Sequence, residues 1–182
     1  MKRAVVLLTL VALSGCGYNR IQTLDEQVNA FKSQIEVQLQ RRADLVPNLV
    51  EVVKGFAKQE LAVFEAVTSA RAALSGAVQS GNLAQMAQAN DALTGVLGRL
   101  LAIAEDNPEI KSNENFRMLQ DQLEGTENRI SVARQDYNNA VRQYNAYIRA
   151  FPQVLTAKVI GAGAREYFEA AAGAEQVPQV QF

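Results

Sequence analysis

The sequence predicts an all-α fold: an up-and-down antiparallel helical bundle of three long helices plus a shorter C-terminal helix. Three observations lead there. The chain is 48% hydrophobic but only 7% aromatic, with no Trp and many Ala, Leu and Gln, a mixture that favours helix over sheet. Apolar residues recur in steps of three and four, which keeps one stripe on one side of a helix. No alternating pattern long enough for a strand appears before the last few residues.

Taken in order, the first stripe starts at Ile21 and continues through Leu24, Val28, Phe31, Ile35, Leu39, Val46, Leu49, Val53, Phe56, Phe64, Val67, Leu74 and Val78. Pro47 interrupts it. A proline inside a helix removes one donor and crowds the preceding turn, so this helix is expected to be kinked or broken near Pro47, with Asp44 capping a restart. Ser80-Gly81-Asn82 reads as a turn. A second helix follows on Leu83, Met86, Leu93, Leu97, Leu100 and Leu101 and ends at Asn107-Pro108. Ser112 or Asn113 opens a third, from about Asn115 to Ala150, with Phe116, Leu119, Leu123, Ile130, Tyr137, Val141, Tyr144, Ile148 and Phe151 on its apolar side. Phe151-Pro152 stops it. Leu155 to Ala172 is a weaker helix, interrupted by Gly161 and Gly163 and carrying Tyr167 and Phe168. Short links between long amphipathic helices make neighbours antiparallel.

The chain opens with Lys2-Arg3, an apolar run from Ala4 to Leu13, then Ser14-Gly15-Cys16. A basic start, a short apolar core and small residues form a signal-peptide layout, and the run is shorter than the ~20 residues a membrane span requires. Leu13-Ser14-Gly15-Cys16 resembles the bacterial lipobox, in which the cysteine thiol is acylated and cleavage falls just before it. The expected organisation is therefore a cleaved signal over 1–15, a lipidated anchor and linker over 16–20, a helical bundle over 21–172 and a flexible tail over 173–182. Cys16, the one cysteine, becomes the lipidation site. Each acyl CH₂ buried contributes ~0.8 kcal/mol, so several chains on one residue hold stably. The expected location is the bacterial cell envelope, on the extracytoplasmic side of a membrane and periplasmic where an outer membrane exists. Formal net charge is −1, and losing Lys2 and Arg3 makes it more negative. Such a chain has no overall footprint for nucleic acid, and none for anionic lipid beyond the anchor.

Several polar residues share the apolar stripes. Arg42 and Arg71 align with Ile35, Val53 and Phe64, and Glu127, Arg134, Asn138 and Asn145 fall within about 40° of one another on the third helix. In one reading they lie at the margin of the stripe and extend to water. In the other they form a partly buried network, Arg42 or Arg71 pairing with Glu127 while the asparagines satisfy the remaining groups. Such networks specify helix register more than they stabilise.

Little chemistry is written into the chain. It has no histidine, which removes the commonest acid–base group and metal ligand. Acylated Cys16 would leave no thiolate. There is no phosphate-binding glycine loop and no calcium loop. No cofactor or metal site is expected, and a catalytic Glu127 would require a second carboxylate that the sequence does not supply. The C-terminal Val177-Pro178-Gln179-Val180-Gln181-Phe182 offers an interaction motif instead. Val180 and Phe182 fit the hydrophobic-x-hydrophobic carboxylate that adds a strand to a PDZ domain. The alternative is a tail folded onto its own bundle.

Val37 to Glu60, "VQLQRRADLVPNLVEVVKGFAKQE", resembles the hallmark segment of the LemA family. The resemblance continues through "ARAAL" from Ala70, the stretch from Asn107 to Pro152, and "YFE" at Tyr167 to Glu169. It implies an all-helical bundle held at the bacterial envelope, with no established biochemical activity. Common family members keep an N-terminal membrane helix where this chain has a lipobox. The reading that follows is a lipid-anchored envelope protein with an interaction or scaffolding role and a protein partner, such as an envelope PDZ-domain protein. A self-assembling homo-oligomeric spacer is the second reading, and an enzyme using Glu127 a distant third.

Overall fold

Helix dominates because apolar residues keep the three-and-four spacing along most of the chain, and several breaks fall where capping residues stand. The computed structural model describes residues 2–57 and 59–169, with side chains from residue 17 onward. In order come α1 Lys2–Phe56, α2 Leu61–Ser80, α3 Leu83–Glu105, α4 Pro108–Ser112, α5 Glu114–Arg149 and α6 Gln153–Ile160. The described residues contain no strand. The fold is all-α.

Asparagine starts three of these helices. The side-chain oxygen of Asn82 accepts from the Gln85 amide at 3.0 Å, that of Asn107 from Glu109 at 3.0 Å, and that of Asn113 from Phe116 at 3.1 Å. Each bond satisfies a first-turn donor that has no partner inside its helix. Glycine ends two others: Gly81 at φ 66° and Gly161 at φ 69° close α2 and α6 in the left-handed region.

Two compact units result. One comprises the chain up to Gln34 with Ala133–Tyr167; the other comprises Ile35–Val132 with Phe168. In the first, Ile21, Leu24 and Val28 of α1 and Tyr137, Val141, Tyr144 and Ile148 of α5 are buried, as is Ala157 of α6. In the second, α1 buries Ile35, Leu39, Val46, Leu49 and Val53, α2 buries Phe64, Val67 and Leu74, and α3 buries Met86, Leu93, Leu97 and Leu100. Phe116, Leu119, Leu123 and Ile130 of α5 complete that core, with Ile110 and Phe168.

The structure corrects the expected helix ends. Pro47 lies inside α1, which runs unbroken to Phe56. The proline ring is exposed, and its missing N–H deprives the Ala43 carbonyl of its helical donor. Arg71 of α2 supplies one, its Nε donating to that carbonyl at 3.2 Å. The chain reverses instead between Phe56 and Leu61, so the long first stripe is two helices, and Phe56 is exposed at the end of the first. The C-terminal helix is shorter than Leu155 to Ala172. It ends at Ile160 because Gly161 turns left-handed, and the backbone from Ala162 to Glu169 is not helical. Phe151, expected on the apolar side of α5, is 80% exposed in the turn that follows it.

Candidate functional site

Arg42 stands between Leu39 and Val46 on the buried seam of α1 and is itself only 5% exposed. An isolated buried charge is costly, so it must be paired. Its Nη1 donates to Asn90 Oδ1 of α3 at 2.7 Å and forms an ion pair with Glu127 of α5. Three helices of one unit thus meet at one guanidinium. Burial lowers the Arg42 pKa, while the charges of Glu127 and Asp91 and the bond to Glu127 push it back up. Arg42 Nε is buried without a hydrogen-bond partner. Beside this cluster, Arg71 does not meet Glu127: it bonds to the Ala43 carbonyl and lies 3.9 Å from Asp44.

Asn145 belongs to the other unit and does different work. Its side-chain amide pairs twice with the backbone of Arg165, donating to the carbonyl at 2.8 Å and accepting from the amide at 2.8 Å. One residue on, the Tyr137 hydroxyl donates to the Glu166 carbonyl at 2.9 Å. The Arg165 guanidinium meets both oxygens of Asp25 on α1 at 2.8 Å. These bonds clamp the non-helical segment after α6, where no helix could satisfy its backbone groups. A cavity of about 370 Å³ lies beside it, lined by Ile21, Asp25, Tyr144 and residues Ile160 to Arg165. Burial raises the Tyr137 and Tyr144 pKa values, and the bond to Asp25 raises that of Arg165.

The expected network is thus divided. Arg42 and Glu127 meet, with Asn90 as a third member that the sequence reading passed over. Asn145 is used elsewhere. Arg134 and Asn138 are half-buried on α5, and neither is free of interactions. The Cys16 side chain lies outside the described side chains, and Val180 and Phe182 lie outside the described residues. Asn90 could have been found by the same periodicity, since it falls between the buried Met86 and Leu93.

Chemically, the Arg42 cluster holds one carboxylate against one guanidinium, which provides no acid–base pair. Among the described residues no three His, Cys, Asp or Glu side chains are grouped to hold a metal. An open groove of about 620 Å³ on the same unit is lined by Arg41, Arg117 and Arg129, with Glu114, Asp121 and the exposed Met118. Among the described residues, none of those three arginines forms an ion pair.

The LemA family model matches residues 31–182. The chain belongs to the LemA family. The match takes in the Arg42 cluster, the Pro47 segment and the clamp except Asp25, and leaves out the residues before 31. Among curated relatives, the magnetosome proteins MamQ 1 and MamQ 2 of Paramagnetospirillum magneticum are each 29% identical over 175 residues, covering 84% of this chain and 64% of theirs. The magnetosome protein MamQ of Magnetospirillum gryphiswaldense is 29% identical over 191 residues, covering 91% of this chain and 70% of its own. The chain thus spans just under two thirds of the length of the first two relatives.

Proposed function

We propose that this LemA family member is a membrane-attached protein of the bacterial cell envelope, anchored by lipid on Cys16, whose helical units serve as a non-catalytic interaction or scaffolding surface. The observation that carries the reading is the N-terminal segment: a basic start and apolar run end in Leu13-Ser14-Gly15-Cys16, and α1 continues from there into the folded units. The relatives are named for the magnetosome rather than for a reaction, which agrees with a structural role. Fractionation with radiolabelled palmitate tests the anchor. The natural chain should carry label in the membrane fraction, and Cys16→Ala should lose it. Natural chain recovered from membranes without label would sink the lipid anchor.

The partner is a protein, met through the bundle surface or through Val180 and Phe182 inserted in an envelope PDZ domain. In-cell crosslinking of the full chain against one lacking Pro178 to Phe182 separates these contacts. One dominant protein lost with the tail supports the PDZ contact, and one that survives truncation places the contact on the bundle. Recovery of the chain alone supports the second reading, a self-assembling spacer. α2 bears on that reading, since it buries only Phe64, Val67, Leu74 and Ala77 and leaves Leu61 exposed.

A further inference from the structure

We propose that α6 is a second membrane contact: it lies in the headgroup layer of an anionic phospholipid surface, with Phe151, Leu155 and Val159 turned into the lipid. The inference rests on the membrane attachment proposed above and adds which folded element meets that membrane.

Three observations carry it. First, α6 has two unlike faces. Ala157 is buried, whereas Leu155 is 56% exposed and Val159, one turn further, is 86% exposed. Phe151, in the turn before α6, is 80% exposed. Leu155 and Val159, four residues apart, share the outer face of α6. With Phe151 just before it, three large apolar side chains are left exposed within nine residues, a ridge-like cluster of the kind that marks an interaction surface.

Second, the position of this ridge is set by the anchor. The inner side of α6 packs on Gly17 of α1, where an added Cβ would stand 3.4 Å from Thr156 Oγ1 and 3.7 Å from Gln153 Cγ. Gly17 follows Cys16 directly, and one helical residue advances only ~1.5 Å. An amphipathic helix at a membrane surface buries its apolar face ~5–10 Å into the headgroup and acyl boundary. An element touching Gly17 is therefore within that layer once Cys16 carries acyl chains, or if the apolar run before it is retained in the bilayer. Tyr18, 44% exposed, is the kind of aromatic side chain that favours this boundary.

Third, charge agrees locally where the whole-chain value conceals it. From Tyr137 to Arg165 there is no acidic residue, while Arg142, Arg149, Lys158 and Arg165 are basic. No acid precedes Asp25 either. Arg149 and Lys158 are exposed at either end of the ridge, placed to meet lipid phosphates, each basic residue near such a surface contributing ~1 kcal/mol.

The absence of tryptophan from the chain makes the test direct. Phe151→Trp and, as a control, Ser33→Trp each create a single fluorescent reporter at an exposed position. Ser33 lies on the same unit, about 24 Å along α1 from Gly17. Each full chain is recovered from membranes in detergent and reconstituted into phosphatidylethanolamine–phosphatidylglycerol vesicles with acyl chains brominated near the headgroup. The proposal expects both to float with vesicles, with blue-shifted emission from Phe151→Trp that loses roughly half its intensity to bromine and no loss from Ser33→Trp. Flotation with unshifted, unquenched Phe151→Trp emission overturns the proposal and leaves the anchor standing. Blue-shifted but unquenched emission buries the ridge against protein, such as a second copy, and also overturns it. Failure to float overturns the membrane attachment and this proposal together.

Discussion

The two units handle buried polarity in opposite ways. In the unit built on Ile35–Val132, Arg42 is a charged side chain satisfied by other side chains, Asn90 and Glu127, on two further helices. In the unit built on Ala133–Tyr167, Asn145 and Tyr137 are neutral and spend their bonds on the backbone of a non-helical segment. The first arrangement ties α1, α3 and α5 together at one buried guanidinium, whose charge has to be paired. The second gives order to a segment that has no ladder of its own. One cluster ties helices together and the other replaces secondary structure.

The comparison breaks most decisively at Arg42. Arg42→Met should cost about 3 kcal/mol in urea unfolding, mostly because Asn90 is left buried without its donor and the seam must repack. Glu127→Gln should cost less, about 1–2 kcal/mol, since the amide oxygen can still accept from Arg42 at the buried position of Oε2 while the charge is lost. Equal costs would show that the pair, rather than the arginine's burial, dominates. Asn145→Ala removes two backbone bonds and should cost about 2 kcal/mol, with hydrogen exchange accelerating at the Arg165 amide ahead of the α5 amides. Uniform acceleration across α5 would mean that the clamp is not a local device.

Two smaller effects sharpen it. Arg71→Met should cost about 1.5 kcal/mol in the natural chain and close to nothing beside Pro47→Ala, because an alanine N–H at position 47 returns a donor to the Ala43 carbonyl. Additive costs would show that Arg71 acts through Asp44 instead. Tyr137→Phe should cost about 0.5–1 kcal/mol at neutral pH through the lost bond to Glu166. It should also reduce the alkaline loss of stability. Burial raises the Tyr137 pKa above 10.0 in the fold, so past that pH the unfolded chain releases its proton first and stability falls as pH rises. An alkaline limb unchanged by the substitution would assign that loss to other groups.

How much of this was legible follows from the same contrast. Arg42 and Asn90 could be read because they occupy positions where the three-and-four spacing demands an apolar residue. The Asn113 start is legible for similarly local reasons, whereas Asn82 reads as part of a turn and Asn107-Pro108 as a helix end, which leaves α4 unforeseen. The clamp was not, because its acceptors are backbone atoms of Arg165 and Glu166 in a segment with no period. Pro47 and Arg71 each stood out alone. Their connection did not, since it runs through a hydrogen bond that the proline prevents, and a residue pattern does not display an orphaned carbonyl. The left-handed Gly161 that shortens α6 was visible as a weakness, but glycine alone does not say that the helix stops.

The asparagine starts of α3, α4 and α5 carry a consequence for acid tolerance. Aspartate caps a helix comparably well but gives up its acceptor when a proton arrives. The amide oxygens of Asn82, Asn107 and Asn113 have no proton to gain over the ordinary range, so the three bonds persist when the surroundings acidify. The chain also lacks histidine, the side chain whose ordinary pKa falls between pH 5 and 8. These three helices would start at the same residues whatever acidity the surroundings impose.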